Sequence, residues 1–410
     1  MNVPTIKPIS FLILSDIHFG SDADSNDFAV TPLPNEMSNA MSMKQSLINT
    51  LKNENLDGIL VCGDLTSKGL PTEFAKCKEA INGIAEELKI HTENIFFTFG
   101  NHDVNWDISS LKDRHKDDLF LEVAASVGGL FIKNKIENPK MVGPVVGTGV
   151  CERSHFNVYI ANSSLYSIHD QKYQHGKLGS VQFEWLKQQL EKTKDESKWH
   201  IFLMHHHLVN HPYPFPTEDV SCVEEGADLK NLLGKFNVDV LCHGHRHHPY
   251  VKTEFVDGWK APVTILCAGS LSVNSKERNK GMIPNLFHIL TLENRDSTSN
   301  AAIGTVKTYE YIAEGWVFLR SQIGPLDSYK KFGSLAGKGE KESSVKVLFD
   351  TAIKKNAENC ELPNFKDLDL GLQCMSREEL NKLIFKVASE SNFRVIGKYP
   401  ESVYIIRNKS

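Results

Sequence analysis

The chain has 410 residues, 40% of them hydrophobic and 24% charged, with a formal net charge of −5. That length exceeds what one hydrophobic core serves, so two domains, or one domain with sizeable insertions, are expected. The composition is that of an ordinary globular protein and excludes global disorder, while the net acidity excludes the basic footprint of strong non-specific binding along nucleic-acid backbones and leaves room for a small nucleotide.

The first apolar run, residues 11–14, is far shorter than the core of a signal peptide and leads straight into Asp16-Ile17-His18. No run reaches transmembrane length. Residues 21–36 are polar, with Asp22, Asp24, Asp27 and two prolines, and read as a loop, followed by a helix over about 37–52. A second strand-like run at 59–62 ends in Gly63-Asp64-Leu65-Thr66. The stretch 72–88 places Phe74, Cys77, Ile81, Ile84, Ala85 and Leu88 on one face, the period of a helix, and these read as core. A third run at 95–99 is followed at once by Gly100-Asn101-His102-Asp103.

Residues 104–153 then form a long insertion: a charged segment at 112–118, an apolar one at 119–127 and a Gly- and Pro-bearing stretch to 149. An insertion of this size beside a site reads as a lid or specificity element, here a cap over the cleft. After a strand at 158–160, the run 201–204 leads into His205-His206-His207-Leu208, and the run 238–242 into Gly244-His245-Arg246-His247. Past Ser270, runs at 287–292, 304–311 and 315–319 read as antiparallel strands. Residues 324–344, rich in Gly, Ser and Lys, read as a linker. Within it, 333–338 is one residue short of a phosphate loop and lacks the Ser or Thr that should follow Lys338, so it is not one. Beyond it, 344–353 reads as helix, Ser376-Arg377-Glu378-Glu379 as a capping box opening a helix with Leu380, Leu383, Ile384 and Val387 on one face, and 393–396 with 403–406 as a hairpin.

Each of the five polar motifs follows an apolar, β-branched run, so every candidate ligand falls at the end of a buried strand, the edge where open α/β sheets bind ligands. Taken singly, Asp16-Ile17-His18 reads equally as a turn, Asp64 as a backbone cap and the later histidine-rich stretch as an adventitious metal binder. Their joint occurrence, in order and each after a strand, removes most of these alternatives. Carboxylate, amide oxygen and imidazole suit manganese, iron or zinc. The seven candidates, Asp16, His18, Asp64, Asn101, His205, His245 and His247, are too many for one tetrahedral ion but suit two if a carboxylate bridges, and Asp64 is the natural bridge. Two ions about 3.5–4 Å apart clamp both the attacking and the leaving oxygen of a displacement at phosphorus.

This set of motifs resembles the calcineurin-like metallophosphoesterase superfamily over approximately residues 9–272. The continuation Gly63-Asp64-Leu65-Thr66-Ser67-Lys68-Gly69 with Glu73-Phe74, and Gly176-Lys177-Leu178-Gly179 followed by Gln182, Trp185 and Leu186, is similar to the branch containing class III cyclic nucleotide phosphodiesterases. The resemblance implies a four-layer αββα sandwich of two mixed sheets flanked by helices. It implies two divalent or trivalent ions (Mn, Fe or Zn), one held by Asp16, His18, Asp64 and His247 and the other by Asp64, Asn101, His205 and His245. His102 would assist the leaving group, and a hydroxide shared by the ions would attack. One departure stands at His205-His206-His207, where the family often has H-H-P: His205 is assigned as ligand, with His206 its rival, and His206 and His207, with His211 nearby, are candidate substrate contacts or else solvated histidines.

The expected organisation is a phosphoesterase domain over 1–323, a linker at 324–344 and a small α/β domain over 345–410, available for a protein partner or for self-association. The expected activity is hydrolysis of phosphodiester bonds in nucleotides, cyclic or linear. A phosphomonoesterase, protein phosphatase or DNA nuclease of the same superfamily is the alternative, and a non-catalytic scaffold with this fold is the reading from another class. Eight cysteines without C-x-x-C pairs or disulfide spacing suggest the reducing cytoplasm, away from membranes, with Cys62 and Cys242 acting as small buried hydrophobes.

Overall fold

The structure, a computed structural model, describes residues 6–20, 28, 41–104, 145, 147–167, 175–210, 221–272, 283–312, 315–321, 326–354, 359–391, 393–399 and 401–407. The first sheet is built from β1 (Ile9–Leu14), β2 (Gly58–Val61), β3 (Ile95–Phe97), β10 (Leu286–Arg295), β11 (Ala302–Ile312) and β12 (Gly315–Phe318), in the order β12-β11-β10-β1-β2-β3. The β1, β2 and β3 strands run parallel while β10 joins β1 antiparallel, so the sheet is mixed. The second contains β4 (Gly149–Glu152), β5 (Phe156–Ile160), β6 (Trp199–Leu203), β7 (Val240–His243), β8 (Tyr250–Glu254) and β9 (Val263–Cys267), in the order β4-β5-β6-β7-β9-β8. Its inner strands are parallel and both edge strands antiparallel.

Successive side chains of a strand point to opposite faces, and this alternation builds the layers. Phe11 and Ile13, with Leu60 and Cys62, face Val158, Ile201, Leu203, Val240 and Cys242 in a core between the sheets. Leu12 and Leu14, with Ile59 and Val61, face outward onto α1 (Met43–Leu51) and α2 (Pro71–Glu87). On the far side, Tyr159, Phe202, Leu241 and Ile265 meet α3 (Ser180–Thr193) and α4 (Gly226–Lys235). Both faces of each sheet are therefore covered, which is why these strands read as continuous apolar runs. The four layers match the expected sandwich.

Helix α1 begins at Met43, capped by Ser42 through Gln45 N at 3.1 Å; residues 37–40 of the expected helix, and nearly all of the 21–36 loop, lie outside the described residues. Pro71 opens α2, where its missing N–H costs nothing. The insertion is shorter than expected, because Gly149–Glu152 is a sheet strand; the remainder of the 104–153 stretch falls outside the described residues save 104, 145, 147, 148 and 153.

The stretch expected as a linker is largely structured. Its strand β13 (Tyr329–Phe332) pairs with β11, and α5 (Lys338–Lys354) starts inside it. Phe332 enters the inter-sheet core, worth roughly 2 kcal/mol relative to exposure, and the Lys330 ammonium donates to the Cys374 carbonyl at 2.7 Å. Gly, Ser and Lys around it mask one short alternating segment. The C-terminal unit adds α6 (Leu370–Gln373), α7 (Arg377–Glu390) and a sheet ordered β14 (Asn359–Glu361), β16 (Tyr404–Arg407), β15 (Phe393–Ile396), packed around Phe349, Leu380, Ile384 and Val387. Ser376 caps α7 reciprocally with Glu379, as expected.

Candidate metal centre

The loops leaving the carboxyl ends of β1, β2, β3, β6 and β7 meet at one end of the two packed sheets. Asp16 N donates to Gly63 O at 3.0 Å, and Ile17 N and His18 N donate to Asp64 O at 2.8 and 3.0 Å, zipping the first two loops together. Gly244 N donates to His205 O at 3.1 Å, and the Ser270 and Ser272 hydroxyls hold the carbonyls of Asp16 and Ile17 at 2.8 and 2.7 Å. Ile17 and Phe19 are in the outer core, which leaves Asp16 and His18 on the opposite side of the chain. Five of the seven candidates, Asp16, His18, Asp64, His245 and His247, adopt positive φ, between 49° and 84°. Such a backbone costs an L-residue about 1–2 kcal/mol and persists where surroundings over-determine it, typically at functional sites.

All seven candidates come together. His247 Nε2 lies 3.2 Å from Asp16 Oδ1, and Asp64 Oδ2 lies 3.6 Å from His18 Nε2 and 3.3 Å from His205 Nε2. Asn101 Oδ1 is 3.1 Å from His205 Nε2 and 2.9 Å from His245 Nδ1, and those two nitrogens are 3.2 Å apart. His205 Nδ1 sits 2.8 Å from the Cys62 carbonyl, so it is the outer nitrogen and Nε2 faces the site. The donor atoms form three overlapping groups, Asp16-His18-His247, His18-Asp64-His102 and Asp64-His205-His245, each within 4.8 Å. Gly100 is required by space, since a Cβ there would fall on Oδ1 and the backbone nitrogen of Asp64.

The electrostatics ask for cations. Asp16 and Asp64 are 0% and 1% exposed, and among the described residues their charged partners are imidazoles, with no lysine or arginine pairing to them. At Asp64 burial, which disfavours the carboxylate, is overcome by His205 and His102, and the carboxyl is held well below its ordinary range. At Asp16 burial is overcome by His247. Burial, aided by the neighbouring His102, pushes His18 down to about 3, and burial with the His206 ring pushes His245 well down. His205 moves the other way: burial is overcome by Asp64, and the imidazole rises to about 9. Two ionised carboxylates, the neutral imidazoles of His18 and His245 and the charge-favouring imidazole of His205 share one buried place, and buried charge is tolerated where it is paired or binds metal. This oxygen- and nitrogen-donor set fits two ions of the manganese, iron or zinc class.

His102 lies beside this cluster, its ring centroid 4.6 Å from that of His18 and its Nδ1 3.1 Å from the Ser67 carbonyl. Asp103, which was not singled out from the sequence, is the clasp of the site. Its carboxylate accepts from Thr66 N and Oγ1 at 2.8 Å each, from Gly100 N at 2.8 Å and from Leu65 N at 3.2 Å, joining the second motif to the third. Burial and the Asp64 charge raise its pKa to about 7. Its fixed place after Asn101-His102 was the available signal. Glu73 accepts from Lys68 N and Leu70 N at 3.0 and 3.3 Å, shaping the loop that carries Ser67. Gln182 accepts from Asn162 N at 2.8 Å and donates to Asn162 O at 3.1 Å, so this residue of the second branch-like segment ties α3 to β5.

His206 and His207 are completely buried, which corrects the solvated alternative and does not suit direct substrate contact. The His206 Nδ1 meets the Ser163 hydroxyl at 2.9 Å, and its ring lies 4.5 Å from that of His245. His211 lies outside the described residues.

The profile of the family described as calcineurin-like phosphoesterase matches residues 9–249. No curated protein sequence matches the chain. Among solved structures, a purple acid phosphatase from yellow lupin (Lupinus luteus) seeds is 14% identical, with TM-score 0.46, over 75% of this chain and 52% of that one. A dimetal phosphatase from Danio rerio is 10% identical, with TM-score 0.45, over 77% of this chain and 98% of that one. The chain thus spans about half the length of the lupin protein.

Proposed function

The chain belongs to the calcineurin-like phosphoesterase family of metal-dependent hydrolases with a binuclear centre, and from that premise we propose that it is a phosphodiesterase acting on nucleotides, cyclic or linear. In this reading Asp16, His18, Asp64 and His247 hold one ion and Asp64, Asn101, His205 and His245 the other. Ions bound there supply Lewis acidity toward phosphoryl oxygens and lower the pKa of water to near neutrality.

His102 performs the proton step. With Nδ1–H directed at the Ser67 carbonyl, the imidazolium hands its Nε2 proton to the leaving oxygen, and the neutral ring that results is the tautomer Ser67 already holds. The observation that carries the phosphodiesterase reading is that the branch-like continuation Leu65–Glu73 is itself the support of His102, through the Ser67 carbonyl and the Glu73-shaped loop. In this reading a segment that resembles the cyclic nucleotide branch sets the position of the proposed acid.

The test is a hydrolysis panel on metal-reconstituted protein: aryl phosphodiesters, aryl phosphomonoesters, cyclic mononucleotides, cyclic dinucleotides, and single- and double-stranded DNA, with Asp64→Ala as the contaminant control. Preference for a nucleotide diester supports the reading. Preference for monoesters or DNA moves the chain to another branch, and no turnover on any substrate leaves a scaffold.

The C-terminal unit, for which we propose the bounds 345–410, serves in this reading as a surface for a protein partner or self-association, supported by exposed Phe385, Ile396 and Tyr404. Eight unbridged thiols support a reducing compartment such as the cytoplasm. Among the described residues no helix is long and apolar enough to cross a membrane.

A further inference from the structure

The geometry points to a third metal site, of zinc type, formed by His207, His243 and Cys267 and separate from the binuclear centre. One donor atom from each lies within 4.8 Å of the others, the same closeness that unites the phosphoesterase ligands. All three residues are 0% exposed. The rings of His207 and His243 lie 4.5 Å apart at 57°, tilted rather than stacked face to face.

The backbone holds these three residues in place. His243 ends β7 and Cys267 ends β9, and the two are direct partners in the parallel register of those strands. His207 is pinned through its own main chain, its N–H donating to Ser221 O at 3.1 Å and its carbonyl accepting from Val223 N at 2.8 Å. Cys267 is in the core on the outer, helix-covered face of the second sheet, together with Tyr250. Little ordering entropy remains to be lost on binding.

The donor chemistry differs from that of the binuclear centre. Two imidazoles and a thiol, with no carboxylate, favour zinc, cobalt or copper over manganese or magnesium. The imidazole of His243 has oxygen partners at both edges, Gly244 O 3.3 Å from Nδ1 and the Tyr250 hydroxyl 3.3 Å from Nε2. Whichever nitrogen coordinates, the other has an oxygen to orient it, as metal-bound histidines require. The competing account is a purely packed cluster of two histidines and a thiol. It gives no reason to bury two imidazoles where aliphatic side chains would avoid their desolvation cost.

An ion here would brace the active-site loops from behind. The His207 ring lies 6.2 Å from that of His245, and His207 shares its loop with His205.

The experiment uses the full chain, stripped by chelation and reloaded with cobalt(II). We expect about three equivalents bound and a thiolate-to-cobalt charge-transfer band in the near ultraviolet. Asp64→Ala should keep the band while losing the binuclear ions, and Cys267→Ser should lose the band and one equivalent. Absence of the band from saturated wild type, or its survival in Cys267→Ser, overturns the proposal and leaves the binuclear reading untouched. If Cys267→Ser does not fold by circular dichroism, zinc X-ray absorption on wild type decides. A sulfur neighbour at about 2.3 Å supports the site, and a shell of nitrogen and oxygen alone refutes it.

Discussion

The backbone amide of His102 donates to Oδ1 of Asp64 at 2.8 Å. The aspartate assigned to both ions is thus aimed by the main chain of the residue whose side chain is proposed as the acid. His102→Ala keeps that amide and removes only the ring. Metal content should stay at the wild-type level while turnover falls about 10²- to 10⁴-fold. Elemental analysis beside steady-state kinetics checks this, and full activity in the variant refutes the acid role.

Asp103→Ala removes the acceptor for four donors, three of them main-chain amides of the second and third motifs. Each buried donor left unsatisfied costs about 1–3 kcal/mol. The variant should unfold at markedly lower urea and lose turnover, with Asp103→Asn, which keeps one acceptor oxygen, between it and wild type. Equal midpoints for all three proteins would show that the clasp is not structural.

Gly100→Ala places a methyl group on the Asp64 carboxylate. The loop must shift to relieve that overlap, so the variant should fold, by circular dichroism, but bind metal at least about tenfold more weakly, since small displacements of ligands and their supports are felt at that scale. Wild-type affinity would show that the carboxylate has room to move.

Acid sensitivity should trace in part to a histidine away from the centre. His288 is fully buried, its Nε2 accepting from Gly269 N at 3.0 Å, and burial pushes its pKa down from 6.5 to about 3. The native ring stays neutral where the unfolded chain takes up a proton. Its contribution is therefore complete above about pH 6.5 and is lost as pH falls toward about 3, with several kcal/mol as an upper limit. Urea unfolding of His288→Gln between about pH 7.5 and about pH 4 should show a shallower loss of stability than wild type. Identical slopes would assign the acid limb to other groups.

Much of this arrangement was legible in the sequence because it depends on local pattern. The apolar runs at 11–14, 59–62 and 238–242 mark strands buried on both faces, and polar motifs directly after them mark the edge where ligands gather. What stayed hidden depends on contacts between distant segments. The positive φ of Asp16 and His18 follows from hydrogen bonds to Gly63 and Asp64 across two loops, which no periodicity records. Asp103 reads locally as one more loop acid, and its role emerges only when Thr66 and Gly100 are beside it. His206 and His207 look like surface histidines because local sequence does not show that the second sheet's outer core closes over them. Lys330 and Phe332 are concealed in a Gly- and Ser-rich composition although both pair with β11 and Phe332 fills the core.

The central claim, a pair of ions sharing Asp64, is tested most directly by calorimetric titration of the stripped protein with manganese(II), an oxygen-preferring ion that the thiol-bearing cluster disfavours. The account predicts two equivalents bound by wild type and tight binding of neither by Asp64→Ala. A single equivalent in wild type at saturation, or two tight equivalents in folded Asp64→Ala, would contradict it.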